Sequence, residues 1–94
     1  MNQKDVFDWR VSAFAHPPSK LLQAAKCAEE AGEVLGAVVK RETGVKQHID
    51  WTEEIKKELA DLLFAMFTVA EMEGFDLLEN AAEKWQEVSQ RDYK

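Results

Sequence analysis

The chain has 94 residues, 46% hydrophobic and 32% charged, with a formal net charge of −6 and a single cysteine. That is the size and composition of one folded domain and not of a disordered segment. The acidic balance argues against nucleic-acid or anionic-membrane partners, lone Cys27 excludes an intrachain disulfide, and no apolar run approaches the ~20 residues that span a bilayer.

Met1 to Asp5 lack the apolar core of a signal peptide, so a cytoplasmic location is expected. Val6, Phe7, Trp9, Val11 and Phe14 recur among polar residues and predict a short helix ending near Ala13. His16-Pro17-Pro18-Ser19 breaks it, because residues before proline avoid the helical region. A long helix is predicted over residues 18–42, with Leu21, Ala24, Ala25, Ala28, Ala31, Leu35, Val38 and Val39 as its apolar stripe. At about 100° per residue, Lys26, Glu29 and Glu33 fall on one flank and Glu30 lies further round. Gly32 and Gly36 would permit close approach at a cost in helix propensity.

Gly44 is a C-cap in the connection over residues 43–49, and Asp50 with Glu53 opens the next helix, predicted over residues 51–73. Its stripe includes Ile55, Leu59, Leu62, Leu63 and Met66, with Glu58, Asp61 and Ala65 beside it. Residues 62–70 are apolar on nearly every side except Thr68, which predicts that another subunit supplies part of their burial. Gly74 ends this helix. Asp76 and Glu79 start the last helix, whose stripe is Leu77, Leu78, Ala81, Ala82, Trp85 and Val88 and which frays near Arg91. The expected fold is all-α: about four helices in one domain over residues 1–94, completed by packing in a homodimer or homotetramer.

Two acidic pairs stand out, Glu30 with Glu33 and Glu58 with Asp61. Their i, i+3 spacing sets each pair on one face of its helix, about one turn apart. Four carboxylates crowded at the margin of a core repel each other and are costly to desolvate, unless a hard divalent cation lies between them. Neither His16 nor His48 makes a Glu-x-x-His pair, which argues against a di-iron bundle.

These residues resemble the MazG-like all-α nucleoside triphosphate pyrophosphohydrolases. The family's mark is ExxE, a spacer, then ExxD. Here it is Glu30-Ala31-Gly32-Glu33, 24 intervening residues, then Glu58-Leu59-Ala60-Asp61. Lys26-Cys27-Ala28-Glu29-Glu30-Ala31-Gly32-Glu33-Val34 is similar to the family's K-x-x-E-E-x-G-E helix. The resemblance implies Mg²⁺, or Mn²⁺ in its place, held by Glu30, Glu33, Glu58 and Asp61. It also implies hydrolysis of a (deoxy)nucleoside triphosphate between its α- and β-phosphates, as nucleotide-pool house-cleaning. Glu29 is a ligand, the base on the attacking water, or simply exposed. Lys26 contacts phosphate or forms a local salt bridge. Lys84 and Arg91 match phosphate-binding cations of the family, although Val88 stands where members often carry asparagine. Trp9, Phe14 and His16 hold the nucleobase or pack in the core. The alternatives are a non-catalytic acidic binding module and a phosphoribosyl-ATP-type pyrophosphohydrolase.

Overall fold

The computed structural model describes residues 1–14 and 19–91. His16, expected near the nucleobase, lies outside the described residues. Four helices follow in order: α1 (Gln3–Ala13), α2 (Lys20–Thr43), α3 (Trp51–Glu73) and α4 (Leu77–Val88), with no strand among the described residues.

Local chemistry sets each boundary. Asn2 caps α1 in a reciprocal box: its Oδ1 accepts from the Asp5 amide at 2.8 Å, and Asp5 Oδ2 accepts from the Asn2 amide at 2.9 Å. Ser19 Oγ accepts from the Leu22 amide and caps α2, so this helix starts after the prolines. Asp50 and Asp76 accept from the amides of Glu53 and Glu79 and start α3 and α4. Gly44 and Gly74 close α2 and α3 at φ 74° and 85°, a left-handed region open to glycine at little cost.

The seven-residue connection between α2 and α3 makes them an antiparallel pair, and α1 packs on α3 beside them. Val6 of α1, Ala37 of α2, and Ala65, Phe67 and Ala70 of α3 form the apolar core. Thr68, the polar exception in the apolar stretch of α3, is buried because its hydroxyl donates to the Phe64 carbonyl at 2.9 Å. Cys27 is half-buried, and desolvation raises its thiol pKa, as for an unreactive packing residue.

The buried amide of Gln3 ties the first helix to the end of α3 and the start of α4. Its Nε2 donates to Glu71 Oε1 at 3.1 Å and to the Phe75 carbonyl at 2.7 Å, while its Oε1 accepts from the Leu77 amide at 2.8 Å. One side chain therefore joins the start of α1 to the corner between α3 and α4.

The predicted apolar stripe of α2 does not close on α3. Leu21 is 79% exposed and Leu35 64%, and Ala24, Ala28 and Ala31 are also exposed. The inward side carries Gln23, Cys27, Glu30, Val34 and Ala37 instead. Periodicity finds an apolar face but does not say which neighbour covers it. Helix α4 has no buried residue, and both Leu78 and Trp85 are largely exposed. The Cα radius of gyration is 16.1 Å, against roughly 12 Å for a compact chain of this length.

Candidate metal centre

The antiparallel packing of α2 on α3 brings the two acidic pairs together. One carboxylate oxygen each from Glu30, Glu58 and Asp61 lies within 4.8 Å of the others, and so does one each from Glu29, Glu30 and Glu33. Glu30 belongs to both groups and is 6% exposed, although helical spacing alone gave no reason to single it out. Glu58 is half-buried, while Glu29, Glu33 and Asp61 reach solvent.

The electrostatics are strained in the way a cation relieves. Glu30 Oε2 and Glu58 Oε2 are buried with no hydrogen-bond partner among the described residues. Such oxygens carry an uncompensated desolvation cost. The neighbouring Glu58 carboxyl is the main influence raising the pKa of Glu33, with lesser help from burial. Lys26 is the local counter-charge, 3.1 Å from Glu30 and 3.4 Å from Glu29, and the bond to Glu30 raises its ammonium pKa. The expected salt bridge is thus present. An all-oxygen donor set with two orphaned buried atoms fits a hard divalent ion.

The acids lie between two cavities. The first, about 430 Å³, is lined by Glu30 and Asp61 together with Trp9, Arg10 and Phe14. Trp9 and Phe14 meet edge to face with centroids 6.0 Å apart, and the Arg10 guanidinium carbon lies 3.9 Å from the Phe14 centroid. The second, about 440 Å³, is lined by Glu29, Glu33 and Glu58 with Gly32, Gly36 and Lys40. A Cβ built on Gly32 or Gly36 would meet nothing within 4 Å, so packing within the chain does not require either glycine.

Trp9, Phe14 and Lys26 therefore line a cavity shared with the acids. Lys84 and Arg91 do not line either cavity; both pair with Glu87. Arg10, Gln23 and Lys40 are lining residues that the sequence reading missed. A signal for Arg10 existed in its i, i+4 spacing to Phe14, and for Gln23 in its i, i+7 spacing to Glu30.

The family model of the MazG nucleotide pyrophosphohydrolase domain matches residues 19–93. The chain belongs to this family. No curated protein and no solved structure matches it. The MazG match covers α2, α3 and α4 and leaves α1 outside, so Trp9, Arg10 and Phe14 reach the MazG acid cluster from beyond the matched segment. MazG membership implies a nucleotide substrate and pyrophosphohydrolase activity. No helix among the described residues is long and apolar enough to cross a membrane.

Proposed function

We propose that this MazG protein hydrolyses a (deoxy)nucleoside triphosphate between its α- and β-phosphates, releasing the monophosphate and pyrophosphate in a Mg²⁺-dependent reaction that trims cytoplasmic nucleotide pools. The observation that carries this reading is the meeting of Glu30, Glu58 and Asp61 from two helices, with buried Glu30 and Glu58 oxygens lacking a partner. Glu30, Glu33, Glu58 and Asp61 would hold the ion, and Mn²⁺ offers the same preference for oxygen ligands. When bound, such an ion polarises phosphoryl oxygens and lowers the pKa of a coordinated water.

The chain's own groups do the rest. Glu29, beside the cluster and solvent-accessible, accepts the proton of the attacking water. Lys26 neutralises phosphate charge at the edge of the first cavity. Trp9 and Phe14 wall the base there, keeping water from one side of the substrate. Lys84 and Arg91 would meet phosphate only when assembly brings an α4 to the acids, because within one chain both pair with Glu87.

Assembly belongs to the same proposal. The chain exposes 6959 Å², where a compact monomer of this mass exposes roughly 5,500 Å². The excess exceeds the ~800 Å² that each partner buries in a standard interface. The exposed apolar stripe of α2 and the apolar side of α4 supply surface for a homodimer or homotetramer.

The test is incubation with each NTP and dNTP plus Mg²⁺, with product identification. Monophosphate and pyrophosphate are expected, and Glu58→Gln should abolish both. Absence of these products, or full activity in that variant, would refute the reading.

A further inference from the structure

We infer that Arg10 is a specificity-determining residue of the first cavity, and that the nucleobase it selects carries a carbonyl oxygen. The inference rests on the nucleotide-hydrolase reading above and adds the class of base.

Arg10 Nη1 is buried and has no hydrogen-bond partner among the described residues. No carboxylate of those residues lies within ion-pairing distance of Arg10, although the chain carries 18 Asp and Glu. A buried donor of this kind is costly until an acceptor reaches it. Phe14, 3.9 Å beneath the guanidinium carbon, restrains the fork, and Trp9 braces Phe14 edge-on. Gln23 lines the same cavity at 4% exposure, and its amide has no hydrogen-bond partner among the described residues. Arg10 and Gln23 therefore both offer polar groups to a cavity whose other lining includes Glu30 and Asp61.

A guanidinium only donates, so its ligand must present acceptors. Arg10 lies against Phe14, which Trp9 meets edge-on, and these are the rings proposed for the base, so the group assigned to Arg10 is the base. Uracil, thymine, guanine and cytosine each offer a carbonyl oxygen to the guanidinium fork; adenine offers only ring nitrogens, and its N6 amino group, a donor beside N1 and N7, meets the fork with a like group. Gln23, able to donate and accept, suits the adjacent ring edge. Because α1 lies outside the MazG match, this reader belongs to the chain's own N-terminal helix.

The experiment compares kcat/KM for dUTP, dTTP, dCTP, dGTP and dATP between the wild type, Arg10→Met and Arg10→Lys. The wild type should favour at least one carbonyl-bearing substrate over dATP by about tenfold or more. The two variants should lose about 5- to 150-fold on that substrate, mainly through KM, the range a lost two-point base contact represents. Both variants should turn over dATP at close to the wild-type kcat/KM. An equal loss on all substrates that Arg10→Lys restores would mean a phosphate contact and overturn the inference, as would unchanged selectivity or a wild-type preference for dATP. A wild type inactive on the whole panel refutes the hydrolase reading alone. Calorimetry with the five monophosphates then decides on Arg10: weaker binding by Arg10→Met, confined to carbonyl-bearing bases, supports it, and any other result, including no binding, overturns it.

Discussion

The Glu33 carboxyl of α2 meets that of Glu58 from α3 across the helix seam, and this encounter raises the pKa of Glu33 above its ordinary 4.5. A carboxyl with a raised folded-state pKa contributes stability below its unfolded pKa and loses it as pH rises through the folded value. In EDTA, the wild type should therefore lose part of its stability as pH rises out of the carboxylate range. Glu33→Gln should lack that dependence and melt higher than the wild type at neutral pH. Melting curves at several pH values test this; a lower neutral melting temperature for Glu33→Gln in EDTA would count against repulsion at the seam.

Metal should reverse the order. Mg²⁺ at 100 times its dissociation constant would stabilise the wild type by about 2.7 kcal/mol. Glu33→Gln, short of one proposed ligand, should gain much less and lose hydrolysis. Thermal shifts across a Mg²⁺ titration at neutral pH measure the difference, and equal shifts would remove Glu33 from the ligand set.

Lys26 bridges Glu30 and Glu29, and its pKa is raised. A lysine of this kind contributes stability at every pH below its ordinary 10.5 and loses it only as pH climbs through the folded value. The Lys26 side chain is 45% exposed, so Lys26→Met should cost about 1 kcal/mol or less in metal-free protein. The deficit should hold steady from pH 6 to 9. Chemical denaturation across that range would show whether it does.

Gly32 and Gly36 lie mid-helix with open space where a Cβ would stand. Alanine at either position should stabilise the folded chain by about 1 kcal/mol through helix propensity. The added methyl also enters the cavity lined by Glu29, Glu33 and Glu58, so kcat/KM should fall as stability rises. Full activity in Gly32→Ala would show that the substrate does not use this cavity.

Leu21 and Leu35 are exposed in the single chain. Leu35→Glu should leave the helix content intact and reduce the light-scattering mass towards the 10.7 kDa of one chain. A wild-type mass already equal to one chain would refute the proposed assembly.

Much of this was legible in the sequence because its signals are local. Asp50, Asp76, Gly44 and Gly74 act on amides and carbonyls within a turn of themselves, so the bounds of α3 were readable as Trp51–Glu73. The acidic pairs were readable because i, i+3 spacing is a property of one helix. Which acid is buried was not: Glu29 and Glu30 differ by about 100° around α2, and the packing of α3 selects Glu30. The exposure of the α2 stripe is likewise a relation between helices. The unpartnered donor of Arg10 and the place of Gln23 in the cavity are facts about space and leave no trace in composition.

Gln3 carries a consequence for where the folding unit begins. The segment that marks the family starts at residue 19, yet the Leu77 amide at the head of α4 is satisfied by a side chain near residue 1. A truncation that keeps only the matched segment would strip that amide and the Phe75 carbonyl of their partner at once. Hydrogen exchange at Leu77 should accelerate in Gln3→Ala as it would in the truncated chain. The N-terminal helix is in this sense the other half of the corner between α3 and α4, and a fusion placed ahead of it would load that corner directly.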